Sequence, residues 1–218
     1  MQIRAIKKKD YSLILKLDKA VYPTNTPVTK LIIKEWYKNN PEFGLVFEEN
    51  NKIVGVCIII PLNKKGWDEF TNGKLNESQL KEEKIFSNKT HTKIGLHIYH
   101  IEKINKKVKS ISIQSLKKIK KIIKNLRKKN AELKIIGFSG LCVTQSGINL
   151  FKEKYGCKEN RMKSKEYILR KKGKKIVAIL KNAKEVKKKM KNGFIFENRC
   201  ELLLTQPKDN NLVWNYLN

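Results

Sequence analysis

Apolar and polar positions alternate over residues 2–6 (QIRAI), which predicts a short strand. Asp10 then reads as the cap of a helix carrying Leu13, Ile14, Leu17 and Ala20 at helical spacing. Thr26-Pro27 is a second helix start, a capping Thr with Pro at the first helical position. Val28, Leu31, Ile32, Glu35 and Trp36 continue that helix until Asn39-Asn40-Pro41 ends it. A hairpin follows, with strands over Gly44–Glu49 and Lys52–Pro61 and Asn50-Asn51 as the tight turn. Residues 66–80 mix helical stretches with a break at Asn72-Gly73, and the polar residues 81–93 read as a mobile loop.

Ile94–Ile104 (IGLHIYHIEKI) is a third strong strand, and the basic residues 105–111 lack periodicity. From Ser112 on, Ile113, Leu116, Ile119, Ile122, Ile123 and Leu126 fall three and four apart, which predicts a helix with one buried stripe and a lysine-covered outer face. Leu133–Phe138 reads as a buried strand, Ser139-Gly140 as a loop, and residues 147–154 as a short helix closing at Tyr155-Gly156. Lys165–Arg170, Lys174–Leu180 and Phe194–Leu204 are strand-like, and Ala183–Met190 is a basic helix. This order predicts an α+β or mixed α/β fold.

Composition narrows the class. A chain of 218 residues with 40% hydrophobic content builds one domain of ordinary size, with room for a small appendage. It holds no apolar run of membrane-spanning length, and no apolar signal region follows Lys7, Lys8 and Lys9, so a cytoplasmic protein without a membrane partner is expected. Cys57, Cys142, Cys157 and Cys200 are far apart and the histidines are few, so no metal site is predicted and the thiols read as buried and free.

The formal charge of +29 attracts polyanions, nucleic acid among them. Yet only Arg4, Arg127, Arg161, Arg170 and Arg199 are arginine, the residue that reads phosphates and guanines bidentately. The lysines travel with abundant Ile and Asn, as an AT-rich coding sequence produces, so the charge is a weak functional clue.

Four segments together resemble the GNAT superfamily of acetyl-coenzyme-A-dependent N-acetyltransferases over residues 1–170. QIRAIKKKDYSLILKLDKAVYP is similar to that family's opening strand and helix, and NKIVGVCIIIPL to its third strand, with a Gly inside the run. LHIYHIEKI resembles its fourth strand, and LKIIGFSGLCVTQSGINLFKEKYGC its fifth strand, the following helix and a Gly-Phe ending, with Cys157 in place of the Phe. The resemblance implies a central, mostly antiparallel twisted sheet flanked by helices. Residues 171–218 lie outside it and read as a C-terminal extension packed on the same domain.

In this family a strand feeds a loop, and the loop feeds a helix N-terminus whose amides and positive dipole receive a pyrophosphate. The family's Arg/Gln-x-x-Gly-x-Gly/Ala loop falls here on Lys107-Val108-Lys109-Ser110-Ile111-Ser112, with serine at both glycine places. Serine keeps the backbone N–H and adds a hydroxyl, but its Cβ restricts positive φ. The resemblance thus implies that acetyl-coenzyme A lies against Ile101, Lys103, Lys107, Lys109, Ser110, Ile111, Ser112 and Ile113, with the thioester near Ile101–Lys103. A helix N-cap is the simpler reading of either serine.

The reaction needs a proton acceptor for the amine and a polarised carbonyl. His100 and Glu102 share one face of the fourth strand and are the candidate catalytic bases, while alternation places His97 on the other face. A hydrogen-bonded strand histidine and an exposed partner of the lysines are the simpler readings of the pair. Lys152 stands where many family members carry an acidic Tyr, and Tyr155 reads as a core residue.

The resulting expectation is an N-acetyltransferase moving an acetyl group from acetyl-coenzyme A to a primary amine on a small molecule or a protein. Two alternatives share the fold: a catalytically degenerate module that binds nucleic acid or another polyanion through its lysines, and an enzyme that modifies nucleic acid.

Overall fold

The computed structural model describes residues 1–21, 27–160, 166–171, 177–180, 183–192, 194–209 and 211–217. The chain runs β1 (Gln2–Ala5), α1 (Tyr11–Val21), α2 (Lys30–Tyr37), β2 (Gly44–Glu49), β3 (Lys52–Leu62), α3 (Lys64–Thr71), β4 (Lys93–Lys103), α4 (Ile111–Arg127), β5 (Lys134–Cys142) and α5 (Gln145–Asn149). It continues through β6 (Lys158–Glu159), β7 (Glu166–Lys171), β8 (Val177–Leu180), α6 (Ala183–Lys191), β9 (Phe194–Thr205) and α7 (Leu212–Leu217).

The strands form one mixed, mostly antiparallel sheet in the order β1-β2-β3-β4-β5-β9-β7-β8, with β6 also against β9. Among the described residues only β4 and β5 pair in parallel, joined by α4 as the crossover. The hairpin turn is as expected: Asn50 and Asn51 both take positive φ (49° and 60°), which Asn tolerates better than most residues. The interior is continuous, from Phe43, Leu45 and Phe47 of the first hairpin through Ile58, Leu96 and Phe138 to Leu203 and Trp214.

α4 buries Leu116, Ile119, Ile122 and Ile123 against this core, as the stripe predicted, and leaves Lys117, Lys120, Lys121 and Lys124 exposed. Cys57 and Cys157 are buried free thiols, and Cys142 is buried. Among the described residues no helix is long and apolar enough to cross a membrane.

Several expectations change. Asp10 ends a 3-10 turn instead of capping α1: it is buried, accepts from Lys7 N–H at 2.7 Å and pairs with Arg4 at 2.7 and 3.0 Å. Burial opposes its charge, but Arg4 and that amide hold its carboxyl below the usual range. Thr26 lies outside the described residues, and Thr29 caps α2, its hydroxyl accepting from Ile32 N–H. Leu31, expected on the buried stripe, is 71% exposed.

The segment 81–93 is pinned instead of mobile, because Ile85 and Phe86 are buried and Phe86 N–H donates to Pro61 O at 2.8 Å. Ser139 and Gly140 continue β5 instead of forming a loop, since β4 pairs on one side of them and β9 on the other. The expected strand starts Lys165 and Lys174 lie outside the described residues, and the strands following them are β7 and β8.

Candidate active site

The strands β4 and β5 part company halfway along. They pair from Lys93↔Lys134 to Ile98↔Gly140 and no further. Beyond that point β4 pairs only with β3, as far as Gly55↔Lys103, and β5 only with β9. The divergence begins at Tyr99, where the β3–β4 register shifts and Tyr99 is the extra residue of a bulge. A bulge bends its strand and raises the local twist, so an open wedge is left between the ends of β4 and β5.

Backbone direction then follows from alternation. Ile104 N–H donates to Val54 O on β3, so Glu102 and His100 also turn their backbone groups toward β3. Ile101 and Lys103 turn theirs the opposite way, toward the wedge that β5 has vacated. Lys103 is exposed and Ile101 packs on the core edge.

His100 and Glu102 meet. His100 Nε2 lies 2.8 Å from Glu102 Oε2, with the imidazole nearly buried and the carboxylate about one-third exposed. A carboxylate accepts only, so Nε2 carries the proton and a neutral His100 presents its lone pair at Nδ1.

A tight turn leads from β4 into α4. Lys107 N–H donates to Asn105 Oδ1 at 3.0 Å and Val108 N–H to Asn105 O at 3.1 Å. Val108 is buried and anchors the turn, while Lys107, Lys109 and Ser110 stay exposed. Ser110 is the N-cap by position, its carbonyl accepting from Gln114 N–H at 2.9 Å, yet its side chain caps nothing. Its φ of 64° and ψ of 22° are left-handed. Serine therefore adopts the backbone that a glycine in this place would provide, at a steric cost of about 1–2 kcal/mol.

Ser112, by contrast, lies inside α4, which begins at Ile111. The amides of Ile111, Ser112 and Ile113 precede the first intrahelical acceptors, and no acidic side chain stands in this first turn. Lys107 and Lys109 beside a positive helix end are unfavourable for an empty helix and favourable for an anion.

Gly55 sets where that helix begins. A Cβ on Gly55 would sit 2.2 Å from Ile111 Cδ1 and 3.0 Å from the Glu102 carbonyl oxygen. The bare backbone of β3 thus lets Ile111 seat the start of α4 beside the end of β4, whose Lys103 pairs with Gly55. Tyr155 fixes the same turn from beneath, its buried hydroxyl donating to Ser112 O at 3.1 Å, which confirms it as a core residue. Lys152 is exposed.

The bulge also overturns one expectation. His97 does not lie on the face opposite His100. The extra residue returns both to one face, where Asp18 of α1 interacts electrostatically with Glu77 and His100. His97 is fully buried, with Nε2 2.8 Å from Glu77 Oε1 and Nδ1 2.9 Å from Ser139 Oγ. Burial pushes the Asp18 carboxyl up to about 6, with Tyr99 pulling it down, Glu77 adding to the rise and His100 opposing it. Sequence reasoning passed over Asp18, Glu77, Tyr99 and Ser139. The bulge that brings His97 and His100 to one face comes from the register of β4 against β3, and no local pattern announces it.

No family model matches the chain, and no curated protein matches it. Solved structures do resemble its fold. Naa50 from Arabidopsis thaliana, in complex with the bisubstrate analogue CoA-Ac-MVNAL, superposes with a TM-score of 0.48 at 9% identity over 94% of this chain and 97% of that one. Ard1 from Thermoplasma volcanium gives 0.45 at 11% identity over 94% and 96%. The putative acetyltransferase yncA from Salmonella typhimurium, with its cofactor acetyl-CoA, gives 0.43 at 12% identity over 94% and 93%. The likeness is one of fold alone.

Proposed function

We propose that the protein transfers an acetyl group from acetyl-coenzyme A to a primary amine. The observation that carries this reading is a juxtaposition. The wedge beyond Ile98, faced by the backbone of Ile101 and Lys103, opens beside the lysine-flanked and side-chain-uncapped start of α4. On this reading residues 1–170 hold the transfer site, and 171–218 form an extension whose strand β9 borders β5.

The residues present fit the group. The amides of Ile111, Ser112 and Ile113, with the Ser110 hydroxyl and the ammonium groups of Lys107 and Lys109, hold the pyrophosphate. Ile101 and Lys103 offer backbone N–H groups to the carbonyl oxygen and stabilise the negative charge that grows there. Bound acetyl-coenzyme A supplies the acetyl group as an activated thioester. His100 accepts the amine proton at Nδ1, and Glu102 holds Nε2–H and stabilises the imidazolium that forms. The amine nitrogen bonds to the carbonyl carbon as the carbon–sulfur bond breaks, and the sulfur departs as thiolate, a fair leaving group without a dedicated acid.

Isothermal titration with acetyl-coenzyme A tests the cradle. Ser110→Glu places a negative charge against the pyrophosphate and abolishes binding, and unchanged affinity in that variant would defeat the placement. A second reading has its own observation: the exposed lysines of α4 form a continuous basic face suited to a polyanion. A module of that kind binds RNA or DNA with a steep salt dependence and shows no acetyl transfer.

A further inference from the structure

A second recess lies at the paired end of β4 and β5, before the strands part at Gly140. Two irregularities of β5 open it. β9 ends at Thr205 opposite Phe138, so Lys134–Gly137 have no partner on that side among the described residues. The β4–β5 register also shifts between Ile94 and Gly95, which leaves Ile136 as the extra residue of a bulge, and bulges re-aim side chains. The result is a groove of about 380 Å³ between α3, β5 and the turn after β9, of small-ligand size.

Trp67 of α3 forms its floor. The indole lies across two glycines: a Cβ on Gly95 would strike Cγ, Cδ2 and Cε3, and one on Gly137 would strike Cε2, Cζ2 and Cη2. Nε1 is bonded to Cε2, so the N–H edge is the one over β5, beside the groove. Trp67 is 5% exposed, yet this N–H has no acceptor among the described residues. It opens onto the groove and not into a sealed interior. Trp36 and Trp214 are satisfied, donating to Leu80 O at 2.8 Å and to Thr205 Oγ1 at 3.0 Å. A buried indole N–H usually finds a partner, and an exception marks an absent water, ion or ligand.

An indole N–H only donates, so the missing partner is an acceptor. Lys208 stands exposed on the turn Pro207–Asp209, which Asp209 fixes by accepting from Gln206 N–H at 2.6 Å and from the Thr205 hydroxyl at 2.9 Å. No acidic side chain pairs with Lys208 among the described residues, whereas Lys64 pairs with Asp68. The groove therefore carries one net positive charge beside an apolar floor of the indole, Ile136 and Pro207. We propose that it binds a small organic monocarboxylate. The apolar body lies on that floor, and the carboxylate accepts from Trp67 Nε1–H and the Lys208 ammonium, as charge-assisted bonds favour. This site is separate from the transfer site and stands whether or not the chain transfers acetyl groups.

Nuclear magnetic resonance of the isotopically labelled full chain gives one indole N–H signal for each of Trp36, Trp67 and Trp214. The Trp67 N–H should exchange with deuterium fastest, because the other two are buried and hydrogen-bonded. Trp67→Phe deletes that signal and fixes the assignment. Benzoate should shift the Trp67 signal saturably, and its neutral isostere benzamide should bind at least about fivefold more weakly. Lys208→Ala, on an exposed turn, should weaken benzoate binding by about twofold to fivefold. Trp67→Phe, read by calorimetry, should weaken it by about tenfold. The exchange rate assigns the signal without a variant, and Lys208→Ala tests the site should Trp67→Phe not fold. Acetyl-coenzyme A should neither move the Trp67 signal nor compete with benzoate.

The site is overturned if benzoate leaves the Trp67 signal in place or moves all three alike. It is equally overturned if benzamide binds as tightly, or if Lys208→Ala binds benzoate as wild type does. Competition between benzoate and acetyl-coenzyme A would remove it as a separate site.

Discussion

Ser110 shows how a residue that looks wrong in a sequence keeps the geometry that matters. The family-like loop calls for glycine there, and serine reads as a loss of positive φ. The chain holds Ser110 at φ 64° regardless, over the buried anchor of Val108 and against the seated Ile111. Ser110→Gly should therefore stabilise the fold by about 1 kcal/mol and leave or improve acetyl-coenzyme A affinity, read by denaturant titration and calorimetry. A destabilised glycine variant would mean that the hydroxyl, not the backbone, is what the loop needs.

Asp18 gives a second residue-scale test. Its folded carboxyl sits at about 6 and so holds a proton more tightly than in the unfolded chain. The associated stability is present in acid and is lost as the pH rises between roughly 4 and 6, by up to about 3 kcal/mol at neutral pH. Asp18→Asn should abolish this loss and raise the urea midpoint at pH 7 more than at pH 4. A wild type as stable at pH 7 as at pH 4, after correction for other groups with the same variant, would contradict the burial of a charged carboxylate there.

At the scale of elements, legibility followed how local the cause was. The Asn50-Asn51 hairpin and the stripe of α4 were readable because turn chemistry and helical spacing lie within a few residues. The bulge at Tyr99 was not, because it comes from the register of β4 against β3, and with it went the true side of His97. The segment 81–93 misled through its polarity, since its two buried apolar residues, Ile85 and Phe86, are joined by polar contacts to distant residues, such as Lys84 with Glu69 and Asn63 with the Glu83 carbonyl, that no local pattern shows. Half of the candidate site was thus legible: His100, Glu102 and the start of α4 were, while Asp18, Glu77 and Tyr99 were not.

The seating of Ile111 on Gly55 is the element contact that can be broken most cleanly. Gly55→Ala brings a Cβ within 2.2 Å of Ile111 Cδ1, so the start of α4 has to shift. The expected cost is about 1–3 kcal/mol, with at least a tenfold loss of acetyl-coenzyme A affinity. Ile111→Val removes the opposing methyl and should restore part of both when combined with Gly55→Ala. Additive losses in the double variant would show that α4 is positioned by something else.

At the scale of the whole molecule the extension is part of the sheet, although its role was unreadable in the sequence. β9 borders β5, and Trp214 of α7 is buried with Nε1 donating to Thr205 Oγ1 at 3.0 Å. The net charge of +29 frames the remaining question, because it surrounds the site without specifying it. A few phosphates held by helix amides and a long polymer held by scattered lysines respond differently to salt. Raising sodium chloride from 50 to 200 mM should weaken RNA retention by about a thousandfold if many lysines engage it, but acetyl-coenzyme A affinity by less than about tenfold. Ser110→Glu adds one charge at the start of α4 and leaves the outer lysine face intact. It should abolish cofactor binding and barely change RNA retention. Were both to fall together in that variant, the start of α4 would be a general polyanion contact, and the transfer reading would lose its cradle.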